Sequence, residues 1–182
     1  MIKISAANLE TLFQSAVPRR LLKGDIILKQ GKACKTVVFV EEGYLRTFIE
    51  SEITEINTDF TLEGSFTTNL KSLRSGSPSD TNIQAGEPSL IYEFDRAKLL
   101  DLYKYSPEIE SFGRILLEKL LIAREEHSNI FKIYKPQERY NYIETHFPEL
   151  LQRISLSQLA SYLGIARETL SRIRKTGHKN IL

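Results

Sequence analysis

Residues 155–175, Ser-Leu-Ser-Gln-Leu-Ala-Ser-Tyr-Leu-Gly-Ile-Ala-Arg-Glu-Thr-Leu-Ser-Arg-Ile-Arg-Lys, read as two short helices joined at Gly164. Ser155 with Gln158 three positions on has the spacing of a capping box, in which two side chains satisfy backbone amides that the first helical turn leaves without partners. Leu156, Leu159, Ala160 and Leu163 then recur at helical spacing. Ala160 suits a close approach of two helices, and Gly164 suits a left-handed exit from the first helix, where any side chain would be strained. Ile165, Leu170 and Ile173 are expected to close a small core from the second helix. Packing those three inward leaves Arg167, Glu168, Ser171, Arg172, Arg174 and Lys175 facing outward.

That outward set has the chemistry of a DNA-reading helix-turn-helix. An Arg side chain can bond guanine O6 and N7 together, Glu can accept from a cytosine amino group, and Thr169 or Ser171 can bond phosphate oxygens. Charge is distributed to match. Residues 152–182 hold six Lys or Arg against the single acid Glu168, a net +5, whereas the whole 182-residue chain carries only +2. Excess positive charge is concentrated where a polyanion would lie.

The stretch Ala-Arg-Glu-Thr-Leu-Ser-Arg-Ile, 166–173, resembles the recognition helix of the Crp/Fnr transcription factors, in which Arg-Glu-Thr is followed by a small residue and Arg. The resemblance implies that Arg167, Glu168 and Arg172 contact bases. It also implies phosphate contacts from Ser155, Ser157 and Thr169, beside those expected of Ser171, Arg174 and Lys175. Ala166 stands where the family usually has Ser or Thr, so the side-chain cap of that helix is missing from the pattern.

With 41% apolar residues, the chain has material for one sizeable domain and a small one, and no apolar run approaches the ~20 residues of a membrane span. Met1-Ile2-Lys3-Ile4-Ser5 lacks the apolar core and small-residue cleavage site of an export signal. Cys34 is the only cysteine, which excludes disulfide scaffolds and cysteine-ligated clusters within one chain, and a cytoplasmic location is expected.

Ser5 to Ala16 has the pattern of a short amphipathic helix, with Leu9, Leu12, Phe13 and Ala16 on one face. From Leu21 to about Asp95 the pattern changes to short β-rich runs between turn residues, the clearest being 26–28, 36–40, 44–49 and 90–94. Turn signals at this spacing predict an antiparallel roll or sandwich rather than βαβ units. The resemblance extends here. Leu-Lys-Gly-Asp-Ile-Ile-Leu, 22–28, Gly31, and Phe-Val-Glu-Glu-Gly-Tyr-Leu-Arg, 39–46, look like the opening strands of the family's cyclic-nucleotide-type β-roll. The implied fold is α+β: an antiparallel, jelly-roll-like sensor over 1–106, a long dimerisation helix, and a winged-helix-type reader of DNA.

In cyclic-nucleotide binders of that family, Gly-Glu holds the ribose and Arg-Ser or Arg-Thr the phosphate. The matching positions here are Gly64-Ser65 and Ser79-Asp80. Ser65 replaces the acid, no arginine stands at Ser79, and Asp80 adds negative charge. A phosphate without a bidentate arginine loses its strongest bonds. Lys71 and Arg74 are the cations nearest in sequence. The implied effector is therefore unknown and other than cAMP. His127, His146 and His178 all follow the roll, so neither a metal centre nor a cofactor is expected in it, and no catalytic motif is present.

From Pro107 to about Phe131, Ile109, Phe112, Leu116, Leu120, Ala123, His127 and Ile130 recur at steps of three and four, the pattern of a coiled-coil seam. Ile115, Leu117, Leu121 and Ile122 form a second stripe, expected to pack on the roll while the seam packs on a partner. Residues 132–137, ending in Lys135-Pro136-Gln137, are expected to form a hinge. The DNA-reading part is expected over 138–182.

The sequence thus points to a homodimeric transcription regulator that binds palindromic double-stranded DNA and, by resemblance, RNA polymerase. It is not expected to be an enzyme. The alternative is a small-molecule-binding roll whose helix-turn-helix contacts another protein.

Overall fold

The computed structural model describes residues 4–177. Met1–Lys3 and residues 178–182, with Lys179 of the charge count above and His178, lie outside the described residues. Helix α1 (Ala6–Gln14) starts at Ser5, whose side chain caps the Asn8 amide. Eight strands follow in chain order, interrupted by one helix. They are β1 (Val17–Leu21), β2 (Ile26–Leu28), β3 (Thr36–Glu42), β4 (Leu45–Glu50), β5 (Glu55–Thr61), β6 (Phe66–Thr67), then α2 (Leu70–Ser75), β7 (Asn82–Ala85) and β8 (Ser89–Asp95). The remainder is helical: α3 (Arg96–Tyr105), α4 (Pro107–Ile133), α5 (Pro136–His146), α6 (Pro148–Arg153), α7 (Leu156–Leu163) and α8 (Arg167–Gly177).

The strands make two four-stranded antiparallel sheets, ordered β1-β8-β3-β6 and β2-β7-β4-β5. This is the expected roll. Its interior holds Leu21, Leu28, Val38, Val40, Leu45, Ile83 and Ile91, with Cys34 buried among them. Pro18 is accommodated because β1 is an edge strand, where a missing ladder donor can face outward. A second cluster, Leu12, Phe94, Leu99 and Ile109, fastens α1, β8, α3 and α4 together. The third unites the C-terminal helices through Tyr140, Ile143, Leu150, Leu159, Ala160, Leu163, Leu170 and Ile173, and it includes Tyr44 of the roll.

Helix α4 is 27 residues long, close to 40 Å at the α-helical rise. It begins at a Ser106 cap followed by Pro107 and runs to Ile133. The expected hinge at 132–137 narrows accordingly. Only Tyr134 and Lys135 separate α4 from α5, because proline fits the first turn of a helix without loss of a hydrogen bond. Among the described residues no strand follows β8, so the wing of the expected winged-helix type is not found there. None of the described helices is long and apolar enough to cross a membrane.

Candidate functional site

Helices α7 and α8 are built as their sequence requires. Ser155 accepts from the Gln158 amide at 3.2 Å, and the Gln158 side chain accepts from the Ser155 amide at 3.1 Å. Gly164 adopts φ +66°, the left-handed turn expected of it. Ala166 stands before α8 with no side-chain acceptor, and its carbonyl accepts from Leu170 at 3.1 Å. Leu170 and Ile173 are buried while Ile165 is half-buried, so the small core closes as read.

Arg167, Glu168, Arg172, Arg174 and Lys175 are exposed, as are Ser155 and Ser157 at the start of α7. Thr169 and Ser171 are half-buried at the flank of α8. Arg172 bonds the Thr169 hydroxyl at 3.4 Å. Arg174 sits beside the Tyr140 hydroxyl, which lies above its ordinary range chiefly through burial. One face of α8 thus carries two arginines and a glutamate outward over a sealed apolar back.

The back of this helical cluster rests on the roll. Ser161 Oγ donates to the Glu55 carbonyl at 2.9 Å and accepts from the Asn57 amide at 3.0 Å, so an α7 side chain satisfies the edge strand β5. Tyr162 packs edge-on against Phe60, 5.2 Å between centroids. On the other flank Arg153 reaches Glu63 and Glu87, and its guanidinium lies over the Tyr44 ring. The Arg153 bond holds Glu63 below its usual range, and burial raises Tyr44.

The stripes of α4 divide differently from the expectation. Ile109 is buried in its own chain, and Phe112 packs against the same cluster. Leu116, Leu120, His127 and Ile130 are half-buried toward the roll and the C-terminal helices. Only Ala123 of the expected seam is exposed. The apolar residues that face outward are Leu117 at 44%, Leu121 at 68% and Ile122 at 55% exposure, which belong to the stripe assigned to the roll. Two stripes of similar breadth cannot be ranked by periodicity. The choice is made by α3, whose Tyr103 lies against Gly113 and draws that side of α4 inward.

At the expected effector site no hydrogen bond among the described residues links Gly64-Ser65 to Ser79-Asp80. Gly64 and Ser65 pair instead with Val40 of β3. Asn69, which sequence reasoning missed, holds the second pair: its Nδ2 donates to Ser79 Oγ at 3.0 Å, Asp80 Oδ1 at 2.7 Å and Thr81 Oγ1 at 3.0 Å. Its Oδ1 caps α2 through the Ser72 amide. Asp80 is held below its usual range, first by Asn69 and further by Lys71 at 3.4 Å. An anion approaching Ser79 would meet a carboxylate and a consumed set of donors. Asn69 was detectable as an Asn followed three residues later by Ser, a helix start. Among the described residues no group of three His, Cys, Asp or Glu is placed to hold a metal ion.

Comparison with known proteins agrees with this architecture. Residues 18–106 match the family model of the cyclic nucleotide-binding domain. No curated protein matches the chain. Among solved structures, the c-di-GMP-responsive global regulator CLP of Xanthomonas campestris is 18% identical with a TM-score of 0.76, over 97% of this chain and 93% of that one. FixK2 from Bradyrhizobium japonicum is 19% identical with a TM-score of 0.75, over 91% and 85%. The catabolite activator protein of Thermus thermophilus is 19% identical with a TM-score of 0.60, over 97% and 85%. At such identities the likeness is one of fold, and it spans the roll, the long helix and the C-terminal helices together.

Proposed function

We propose that the chain is a transcription regulator of the Crp/Fnr type, whose α7–α8 pair is a helix-turn-helix that reads palindromic DNA as a homodimer. The observation that carries this reading is α8 itself: Arg167, Glu168 and Arg172 stand outward in one register while Leu170 and Ile173 seal the opposite side. Arginine offers guanine a two-point bond and glutamate accepts from cytosine, so the triplet favours G·C pairs in each half-site. Ser155, Ser157, Thr169, Ser171, Arg174 and Lys175 surround it with phosphate-directed groups, Arg174 sharing its position with Tyr140.

Dimerisation runs along the outward stripe of α4, where Leu117, Leu121 and Ile122 are exposed beside Ala123. A twofold pair of such rods carries two α8 helices to successive major-groove faces, about 34 Å apart. The Asn69–Asp80 network argues against a cyclic nucleotide phosphate in the roll and for a different signal. The test is fluorescence anisotropy of palindromic and random duplexes over a series of salt concentrations. Sequence preference, with log affinity falling linearly in log salt, supports the regulator. Equal and salt-insensitive binding overturns it and favours a helix pair that contacts protein.

A further inference from the structure

A cavity of about 380 Å³ opens where the roll, α4 and the C-terminal helices meet, within the range of small-molecule sites. Three separate parts of the chain wall it. Phe60 comes from β5, His127 and Phe131 from α4, and Tyr162 from α7. The His127 ring lies 4.7 Å from Phe131 and 5.1 Å from Tyr162, between centroids, so the aromatic wall crosses from the long helix to the DNA-directed pair.

The cationic charge in this wall is already committed, and Glu126 adds a second carboxylate to it. Arg124 Nη2 bonds Asp59 Oδ2 at 3.0 Å, and burial holds that carboxyl above its usual range despite the arginine. Arg139 donates Nε to the Tyr134 carbonyl, Nη1 to Leu163 and Nη2 to Phe131, at 2.9 to 3.0 Å. These two are the cationic side chains of the lining. An anionic ligand would therefore enter without a free guanidinium, while an uncharged one loses nothing. One polar atom stands out: His127 Nε2 is buried with no hydrogen-bond partner. With under 1 Å² of that atom accessible, the wall offers a ligand ring surface rather than a hydrogen-bonding nitrogen.

We infer that this cavity is the effector site, and that it takes an uncharged aromatic molecule stacked on the Phe60, His127, Phe131 and Tyr162 wall. Bound there, the ligand bridges β5, α4 and α7 and fixes the C-terminal helices against the roll. Occupancy then sets the angle at which α8 is offered to DNA, a consequence that rests on the regulator reading above. The site itself does not depend on it.

N-Phenyl-1-naphthylamine is the probe, an uncharged aromatic with one N–H that fluoresces in apolar surroundings. Its counterpart is 1-anilinonaphthalene-8-sulfonate, the same frame with a sulfonate. The full chain is expected to bind the first saturably, one per chain, and the second about tenfold more weakly. Ile130→Trp, which adds ring volume from the half-buried face of α4 that lines the cavity, is expected to abolish binding. His127→Ala, which removes the ring from between Phe131 and Tyr162, is expected to weaken the uncharged dye about fivefold. Equal binding of both dyes, or binding indifferent to both substitutions, overturns the assignment. Duplex affinity is read in the same samples with and without N-phenyl-1-naphthylamine. Dye binding that responds to the substitutions in a chain that binds no duplex supports the cavity and overturns the regulator; dye binding that shifts duplex affinity supports both.

Discussion

Arg153 donates from both terminal nitrogens to the Glu63 carboxylate, Nη1 at 2.9 Å and Nη2 at 2.7 Å, and so ties α6 to the turn between β5 and β6. A planar fork on a carboxylate fixes orientation as well as distance. With Ser161 seated on β5, the C-terminal helices are keyed to the roll at two points. The placement of α8 is thus a property of the whole chain rather than of its last forty residues.

Arg153→Ala is expected to lower stability by about 1–2 kcal/mol in denaturant melts, above the worth of an ordinary surface pair because two carboxylates, Glu63 and Glu87, lose a shared partner. The parent's acid limb reports the same contact. Glu63 has its carboxyl depressed from 4.5, first by the Arg153 bond. Its stabilisation is complete above 4.5 and is lost as pH falls through the folded value. The variant's melts should be flatter across that window.

His127 gives a second pH signature. Burial first, and Arg124 next, lower its pKa from 6.5, so the unfolded chain takes up the proton before the folded one does. Stability is therefore full above 6.5 and declines as pH falls from there through the folded value. His127→Phe preserves the contacts with Phe131 and Tyr162 and removes the orphaned nitrogen. Melting temperature at neutral pH is expected to hold or rise, and the part of the decline that begins at 6.5 is expected to vanish.

Gly113 is expected to reject alanine. In an open helix the exchange would stabilise by about 1 kcal/mol. Here a Cβ would press on the Tyr103 hydroxyl and lie 2.8 Å from its ring Cζ. Overpacking of this kind costs about 1–3 kcal/mol, so the clash wins and thermal melts should show a net loss. Tyr103→Phe, which removes the nearest atom, should recover part of it.

Leu121→Glu tests the outward stripe of α4. At 68% exposure the side chain contributes little to its own fold, and stability should change by no more than about 0.5 kcal/mol. Light scattering should show the parent at twice the chain mass and the variant at the chain mass. Affinity for a palindromic duplex should fall with it, while a variant that remains paired would move the seam elsewhere.

The C-terminal pair was legible because its signals are local: Ser155 and Gln158 cap within one turn, and Gly164 answers a single backbone requirement. The apolar strands β3 and β4 were legible for the same reason. Strand β5, Glu-Ile-Asn-Thr-Asp-Phe-Thr, was not, since its polar residues are satisfied by distant partners such as Ser161 and Arg124. Helices α2 and α3 carry too little apolar periodicity to announce themselves, and β6, two residues long, exists only through its pairing with β3. The cap made by Asn69 is local, but its hold on Ser79 and the inward stripe of α4 are settled by tertiary contacts that hydrophobic periodicity does not register.

The most direct measurement is selection of bound duplexes from a randomised pool, run in parallel with the parent and Arg172→Ala. The account predicts an inverted repeat for the parent, half-sites one helical turn apart with G·C pairs in each. It predicts the same spacing for the variant, with preference relaxed at one base pair per half-site by about 1–3 kcal/mol. No enrichment for the parent, or an identical motif and affinity for the variant, would contradict it.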